Sequence, residues 1–490
     1  MSTLGIALLL SVWARAETYL PDWDSLAKHQ AAPEWLADAK LGIYFHWGPY
    51  TVPAYGNEWY PRHMHERGHH VERYHAKTYG DPAEFGYHDF IPDFTGEHFD
   101  PEEWAELFQQ AGARYAGPVA EHHDGYAMWA SKVTPWNAKD TGPQRDILGE
   151  LFNSLEQRNI KTIATFHHAR HLSGRSGWDS HYHQAKPDWP PNSEDPKLRL
   201  LYGNLPEEEW LKNVWLAKLN EVIDQYQPDI IWFDSWLDQI PASYQQRFAA
   251  YYLNEANKWQ KPVAIIRKQN DLPLSFTIND HEKAREPDIE PVLWMTDDTI
   301  STGSWSYTQH LRIKPLSQVL HALIDTVSKN GVVLLNISPK ADGTIPQDQR
   351  EVLLGLGDWL RVNGEAIYAT RPWVIAGEGP TSEPHGGFAS RKEFLKLQYT
   401  KEDIRFTRNK ENSVLYAIAM GWPGETLLLR SLKGMELDEV HSVRLLGTDA
   451  ELKWQQTSQG MEVQLGQKPD YQLAFPVRIE FKQNIPLLVP

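Results

Sequence analysis

The residues best suited to chemistry sit at the ends of short apolar runs. Ile230 to Phe233 ends on Asp234, with Trp236 two residues on. Leu41 to Phe45 leads into His46, Tyr115 to Ala120 into Glu121-His122-His123-Asp124, Lys161 to Phe166 into His167-His168, and Val263 to Ile266 into Arg267. A continuous apolar run of this length fits a strand buried on both faces of a parallel sheet. A carboxylate at the C-terminal tip of such a strand is where an α/β barrel carries its chemistry. The same Asp, taken alone, would equally serve as a helix cap.

Three chemistries can draw on these side chains. The pairs His122-His123 and His167-His168 offer metal ligands, but no HExxH is present and adjacent residues on a strand point to opposite faces. No catalytic metal or other cofactor is therefore expected. Serine catalysis lacks its GxSxG elbow, since Ser235 simply follows a carboxylate. Glycoside hydrolysis needs two carboxylates, one ionised and one holding a proton. Asp234 supplies the first. The second must come from the stretch after Arg267, where Asp280, Glu282, Glu286 and Glu290 are available.

The elements that would position these groups alternate from about residue 40 to 365. Asp100-Pro101-Glu102-Glu103 opens a helix with an N-cap, a proline at the first position and acids in the first turn. Asp146–Gln157, Glu207–Tyr226, Tyr244–Trp259, Leu316–Ser328 and Gln347–Val362 keep helical spacing. Further strands are expected at Val292 to Thr296 and Gly331 to Ile337. Strand and helix in turn predict a (β/α)8-like barrel. The His-rich insert at 61–99 reads as a loop layer with short helical pieces, and Pro187 to Pro196 as a Pro-rich loop. Beyond about 365, short alternating runs predict an antiparallel β-sandwich, among them Phe394–Tyr399, Val414–Met420, Thr426–Arg430, Ser442–Leu446, Met461–Leu465 and Val477–Phe481. The expected division is a leader at 1–16, a barrel at 17–370 and the sandwich at 371–490.

Composition narrows the partners. The net charge of −17 argues against nucleic acid. The chain has no cysteine, hence no disulfide or thiol chemistry. Its 21 Trp and 21 Tyr suit either sugar stacking or a large aromatic core. The apolar run Leu4 to Trp13 is too short to span a membrane, and Ala14-x-Ala16 looks like a signal-peptidase site, so the chain is expected to be exported and not membrane-bound. Oligomeric state is not legible.

Five stretches, in this order, resemble glycoside hydrolase family 29, the α-L-fucosidases: Trp35 to Gly48 with its Ile43-Tyr44-Phe45-His46-Trp47-Gly48 end, Asn57-Glu58-Trp59-Tyr60, His122-His123-Asp124-Gly125-Tyr126, Trp232-Phe233-Asp234, and Asn330 to Pro339. The resemblance spans most of residues 33–365. It implies a retaining exo-α-L-fucosidase acting on terminal fucose of oligo- or polysaccharides, with Asp234 as nucleophile. It further implies His46, Glu58, Trp59, His122, His123, Trp232 and Arg267 as substrate-binding residues. For the acid/base, the family's Asp-Tyr-Glu-Arg-type element is matched best by Asp280-His281-Glu282-Lys283, which points to Glu282, with Glu290 second and Asp297 third. Neighbouring Lys283 and Arg285 would lower a carboxyl pKa, so burial must outweigh them. An α-L-galactosidase or a non-catalytic sugar-binding protein on the same scaffold stand as alternatives.

Overall fold

Eight parallel strands close into a barrel in chain order, in a computed structural model that describes residues 18–169, 195–268, 271–381, 391–394, 396–469 and 473–487. They are β1 (Leu41–Phe45), β2 (Tyr115–Glu121), β3 (Lys161–Phe166), β4 (Ile230–Phe233), β5 (Ala264–Lys268), β6 (Ile278–Asp280), β7 (Trp294–Thr299) and β8 (Gly331–Ile337). The expected leader at 1–16, and most of the Pro-rich loop, lie outside the described residues. Among those residues no helix is long and apolar enough to cross a membrane.

Strand alternation sorts the barrel into layers. The interior is filled by Tyr44, Tyr115, Val119, Ile163, Ile230, Trp232, Ala264, Ile266, Ile278, Met295, Val332 and Leu334. Their neighbours on the strands, such as Phe45, Ile231, Phe233 and Ile265, join the shell between strands and helices. Gly42 makes room inside: a Cβ there would stand 2.1 Å from the Tyr115 ring, whose hydroxyl donates to the Val333 carbonyl at 2.6 Å.

Two residues past the last interior apolar side chain, the same phase brings up a polar one. Tyr44 is followed by His46, Trp232 by Asp234, Ile266 by Lys268, Ile278 by Asp280, Met295 by Asp297 and Leu334 by Asn336. β2 breaks the rhythm. Its register against β3 shifts between Val119 and Glu121. This irregularity turns Glu121 outward, to a buried ion pair with Lys218 at 2.7 Å, and leaves His122 inward.

The helices fall where apolar spacing places them. Pro101–Gln110 starts on Asp100, whose carboxylate accepts from the Glu102 and Glu103 amides. The predicted helix ending at Tyr226 is continuous but carries a π-helical turn at Leu211–Trp215. From β5 through β6 to β7, no described residue is helical. β6, three residues long, went unforeseen because so short a segment shows no period. The insert contains helices at Tyr60–His63 and His70–Thr78 and a 3-10 segment at Tyr87–Asp93.

Eight further strands follow: β9 (Arg371–Glu378), β10 (Ile404–Arg408), β11 (Val414–Ala419), β12 (Thr426–Leu429), β13 (Val440–Leu445), β14 (Trp454–Thr457), β15 (Gly460–Gln464) and β16 (Phe475–Phe481). They form a five-stranded antiparallel sheet in the order β13-β16-β11-β10-β9 and a three-stranded one in the order β12-β15-β14. Between them packs a separate core including Phe406, Leu415, Leu429, Val443, Val463 and Val477. The run at Phe394–Tyr399 is not a strand as expected. Phe394 closes a helical turn (Arg391–Phe394), and the described residues after it are turn and coil.

Candidate active site

Lys268 is the hub of the barrel mouth. Its Nζ donates to Asp234 Oδ1 at 3.2 Å, Glu282 Oε2 at 3.2 Å and Asp297 Oδ2 at 3.0 Å, and lies 4.6 Å from the centre of the Trp232 ring. All four residues are nearly or wholly buried apart from narrow openings at Asp234 and Glu282. One ammonium cannot neutralise three carboxylates, and Asp280 adds a fourth nearby. Some of these acids must therefore keep their protons.

The distribution of protons follows from the neighbours. Burial pushes the Asp234 carboxyl up, but Lys268, His167 and His123 together outweigh it and hold it well below the usual carboxylate range. His123 Nε2 stands 3.4 Å from Asp234 Oδ2, while its Nδ1 meets the His167 carbonyl at 2.9 Å. Burial raises Glu282. Lys268 opposes this, Asp297 and Asp234 add to it, and the net shift is upward. Lys283 exerts only a minor lowering, its ammonium lying 4.0 Å from the Trp305 ring centre, and Arg285 is turned away to Asp325 at 3.5 Å. Asp280 is likewise raised, by burial and then by Asp297. The site thus holds one carboxyl shifted down, Asp234, and one shifted up, Glu282, on the same cation.

Facing them is a wall of imidazoles. His46, His122 and His167 pack ring to ring with centroids 4.7–5.3 Å apart. Asn336 Oδ1 takes both the backbone N–H and Nδ1 of His46, at 3.0 and 2.7 Å, which leaves Nε2 aimed inward. Burial lowers His46 to about 4, so the ring is neutral. Trp59 covers this wall, its ring 4.2 Å from His123. Glu58 is buried beneath, accepting from Ser304 Oγ at 3.1 Å and the Trp305 amide at 3.0 Å. It thereby ties down the loop that lays Trp305 against His46 at 5.3 Å. Trp232 is entirely buried and forms the floor under Lys268.

The structure gathers Asp234, Glu282, His46, Glu58, Trp59, His122, His123 and Trp232 into one mouth. Arg267 it does not. Its Nη1 donates to the Leu272 carbonyl at 2.7 Å and its charge faces Asp271, because it shares the outward phase of Ile265. The basic residue among the carboxylates is Lys268. Asp297 belongs to the cluster but is sealed below, accepting also from the Tyr44 hydroxyl at 3.0 Å. Glu290 lies ahead of β7, at the opposite end of that strand. Lys268, His167 and Asn336 were not picked out as site residues, although counting in twos from the interior apolar residues finds each of them.

On the Glu282 side a cleft of about 740 Å³ opens where β5, β6 and β7 follow one another without helices; Ser235, Lys268, Glu282, Glu286, Leu274 and Val292 are among its lining. Two acids shifted in opposite directions, beside a histidine-lined pocket and an open cleft, are equipped to cleave a glycosidic bond.

Comparison with known proteins agrees. Residues 7–365 match the family model described as Alpha-L-fucosidase, and residues 398–480 match Alpha-L-fucosidase C-terminal domain. The chain is 31% identical to the tissue alpha-L-fucosidase of Rattus norvegicus over 487 residues, covering 95% of this chain and 93% of that protein. It is 30% identical to the plasma alpha-L-fucosidase of Homo sapiens, covering 94% and 91%. Among solved structures, the Thermotoga maritima alpha-fucosidase in complex with fucose superposes with a TM-score of 0.72 at 27% identity, covering 94% of this chain and 99% of that one. The fold, the carboxylate pair and the match along nearly the whole chain together show that this protein belongs to the alpha-L-fucosidase family and is a glycoside hydrolase.

Proposed function

We propose that the chain hydrolyses terminal α-L-fucosyl residues of oligo- or polysaccharides with retention of configuration, Asp234 acting as nucleophile and Glu282 as acid/base. The observation that carries this is the shared cation. An oxygen of each carboxylate lies 3.2 Å from one ammonium nitrogen. Two carboxylates held by one cation stand close together, which favours the ~5–5.5 Å spacing of a retaining pair.

In the first step, ionised Asp234 attacks the anomeric carbon while protonated Glu282 gives its proton to the leaving oxygen. In the second, Glu282 takes a proton from water as the water displaces Asp234. Burial of both acids strengthens the Lys268 field that keeps Asp234 charged. His46, His122, His123 and His167 offer nitrogens to sugar hydroxyls, Trp59 offers a ring face, and Trp232 and Glu58 support the wall. The leaving glycan takes the cleft beside Glu282.

Purified protein should hydrolyse an aryl α-L-fucoside, and Asp234→Ala should abolish turnover. Glu282→Ala should lose most activity, and with an activated aryl fucoside added azide should restore part of the turnover, yielding fucosyl azide. Rescue of Glu290→Ala in its place would move the acid/base role to that residue. Export is read from Leu4–Trp13 and Ala14-x-Ala16, and a mature N-terminus at Glu17 would support it.

A further inference from the structure

The His-rich insert plays no direct part in the chemistry above, yet it builds a donor set of its own. His63 ends the helix Tyr60–His63, Glu66 sits in the following turn, and His69 caps the next helix. One ligand atom from each lies within 4.8 Å of the other two. His63 Nε2 and Glu66 Oε2 are already 3.7 Å apart, and the His63 and His69 rings stack at 4.1 Å. His63 Nδ1 is buried and meets no hydrogen-bond partner, an arrangement a buried polar atom rarely keeps without cause. We propose that His63, Glu66 and His69 bind a divalent transition metal of the zinc class.

Two imidazoles and a carboxylate are a standard zinc donor set that leaves one position for water. Bonds of about 2.0–2.2 Å require the donors to draw in by roughly 1 Å. The turn can do this: Gly68, at φ +80°, has open space where a Cβ would stand. The one contact given up is a long one, the Val71 amide on His69 Nδ1 at 3.3 Å. Arg62 and Arg73 are the neighbouring cations, and Glu66 and Glu72 offset them; Glu72 accepts from the Gly68 amide at 3.3 Å.

The position gives the ion a route to the active site. His63 stacks on Trp59 with centroids 6.3 Å apart, Trp59 packs on His123, and His123 meets Asp234. An ion that fixes the His63 ring thus fixes the far side of the ring proposed to face the sugar.

Titration calorimetry of the full chain with Zn2+, in saturating L-fucose, tests this. The sugar fills the His46, His122 and His167 pocket, the other imidazole cluster among the described residues close enough to hold an ion. The use of fucose rests on the proposed function, but the insert substitutions do not. One Zn2+ per chain should bind, with affinity falling at least tenfold in His63→Gln and in His69→Gln, while metal-free activity of His69→Gln stays near that of the parent. Glu66→Gln should weaken binding less. Equal Zn2+ affinity in the parent and both His variants would overturn the site, as would binding that L-fucose competes away.

Discussion

Around Lys268 one ammonium faces Asp234, Glu282, Asp297 and Asp280; around Asp325 one carboxylate faces Lys329 at 3.1 Å, Arg405 at 2.7 Å and Arg285 at 3.5 Å. Both clusters are buried, and both are built from the same groups. The first has too few positive charges for its acids, so Glu282 and Asp280 are both pushed toward the protonated form. The second has too many, so burial of Asp325 is overcome by Lys329, Arg405 and Arg285 and its carboxyl is held well below its usual range. It links the helix Leu316–Ser328 to β10 (Ile404–Arg408), fastening the sandwich to the barrel. Charge balance, more than burial, separates a site that reacts from a site that holds.

Breaking each cluster should give different losses. Asp234→Asn should lower kcat by about 10⁴-fold or more with little change in melting temperature, read from aryl fucoside kinetics and calorimetry. Asp325→Asn should do the reverse, leaving three cations around a neutral group. A loss of about 3–5 kcal/mol in unfolding free energy is expected, with KM nearly unchanged for the folded enzyme. A depressed carboxyl stabilises the fold above its unfolded pKa of about 3.9. The stability gap between parent and Asp325→Asn should thus be full above about pH 4 and shrink as pH falls further.

Lys268→Met should cost about 10²–10³-fold in kcat/KM. It should also move the pH profile in a set direction. Lys268 lowers both Asp234 and Glu282. Its removal should shift the acid limb, set by Asp234, and the alkaline limb, set by Glu282, both to higher pH. Limbs that stay in place would remove Lys268 from the electrostatics of the site. The smallest change is expected for Arg267→Met, next along the chain. It should leave kcat within a few-fold and cost about 1–2 kcal/mol of stability from the orphaned Leu272 carbonyl.

That last pair also marks the limit of what the sequence made legible. The barrel showed in its apolar runs, and Asp234 and the His residues in their place at strand ends. The resemblance points to Arg267 as the basic residue at the end of its run, whereas the pleat decides by parity, and it is Lys268 that shares the phase of Ile266. Glu121 and His122 carry the same hazard: strict alternation from Val119 would put Glu121 inside, and only the β2 irregularity reverses it. β6 escaped notice because three residues cannot display a period. The Phe394–Tyr399 run misled because local hydrophobicity does not say whether a partner strand is at hand. The raised pKa of Glu282 was beyond sequence reading altogether, since it depends on burial and on Asp297, fifteen residues away.

The proposed double displacement makes one result unavoidable. When an aryl α-L-fucoside is followed by proton NMR from the first turnovers, the anomer released initially should be α-L-fucose, with β-L-fucose rising only later by mutarotation. Initial release of β-L-fucose would contradict Asp234 as a covalent nucleophile, and with it the assignment of the carboxylate pair on Lys268.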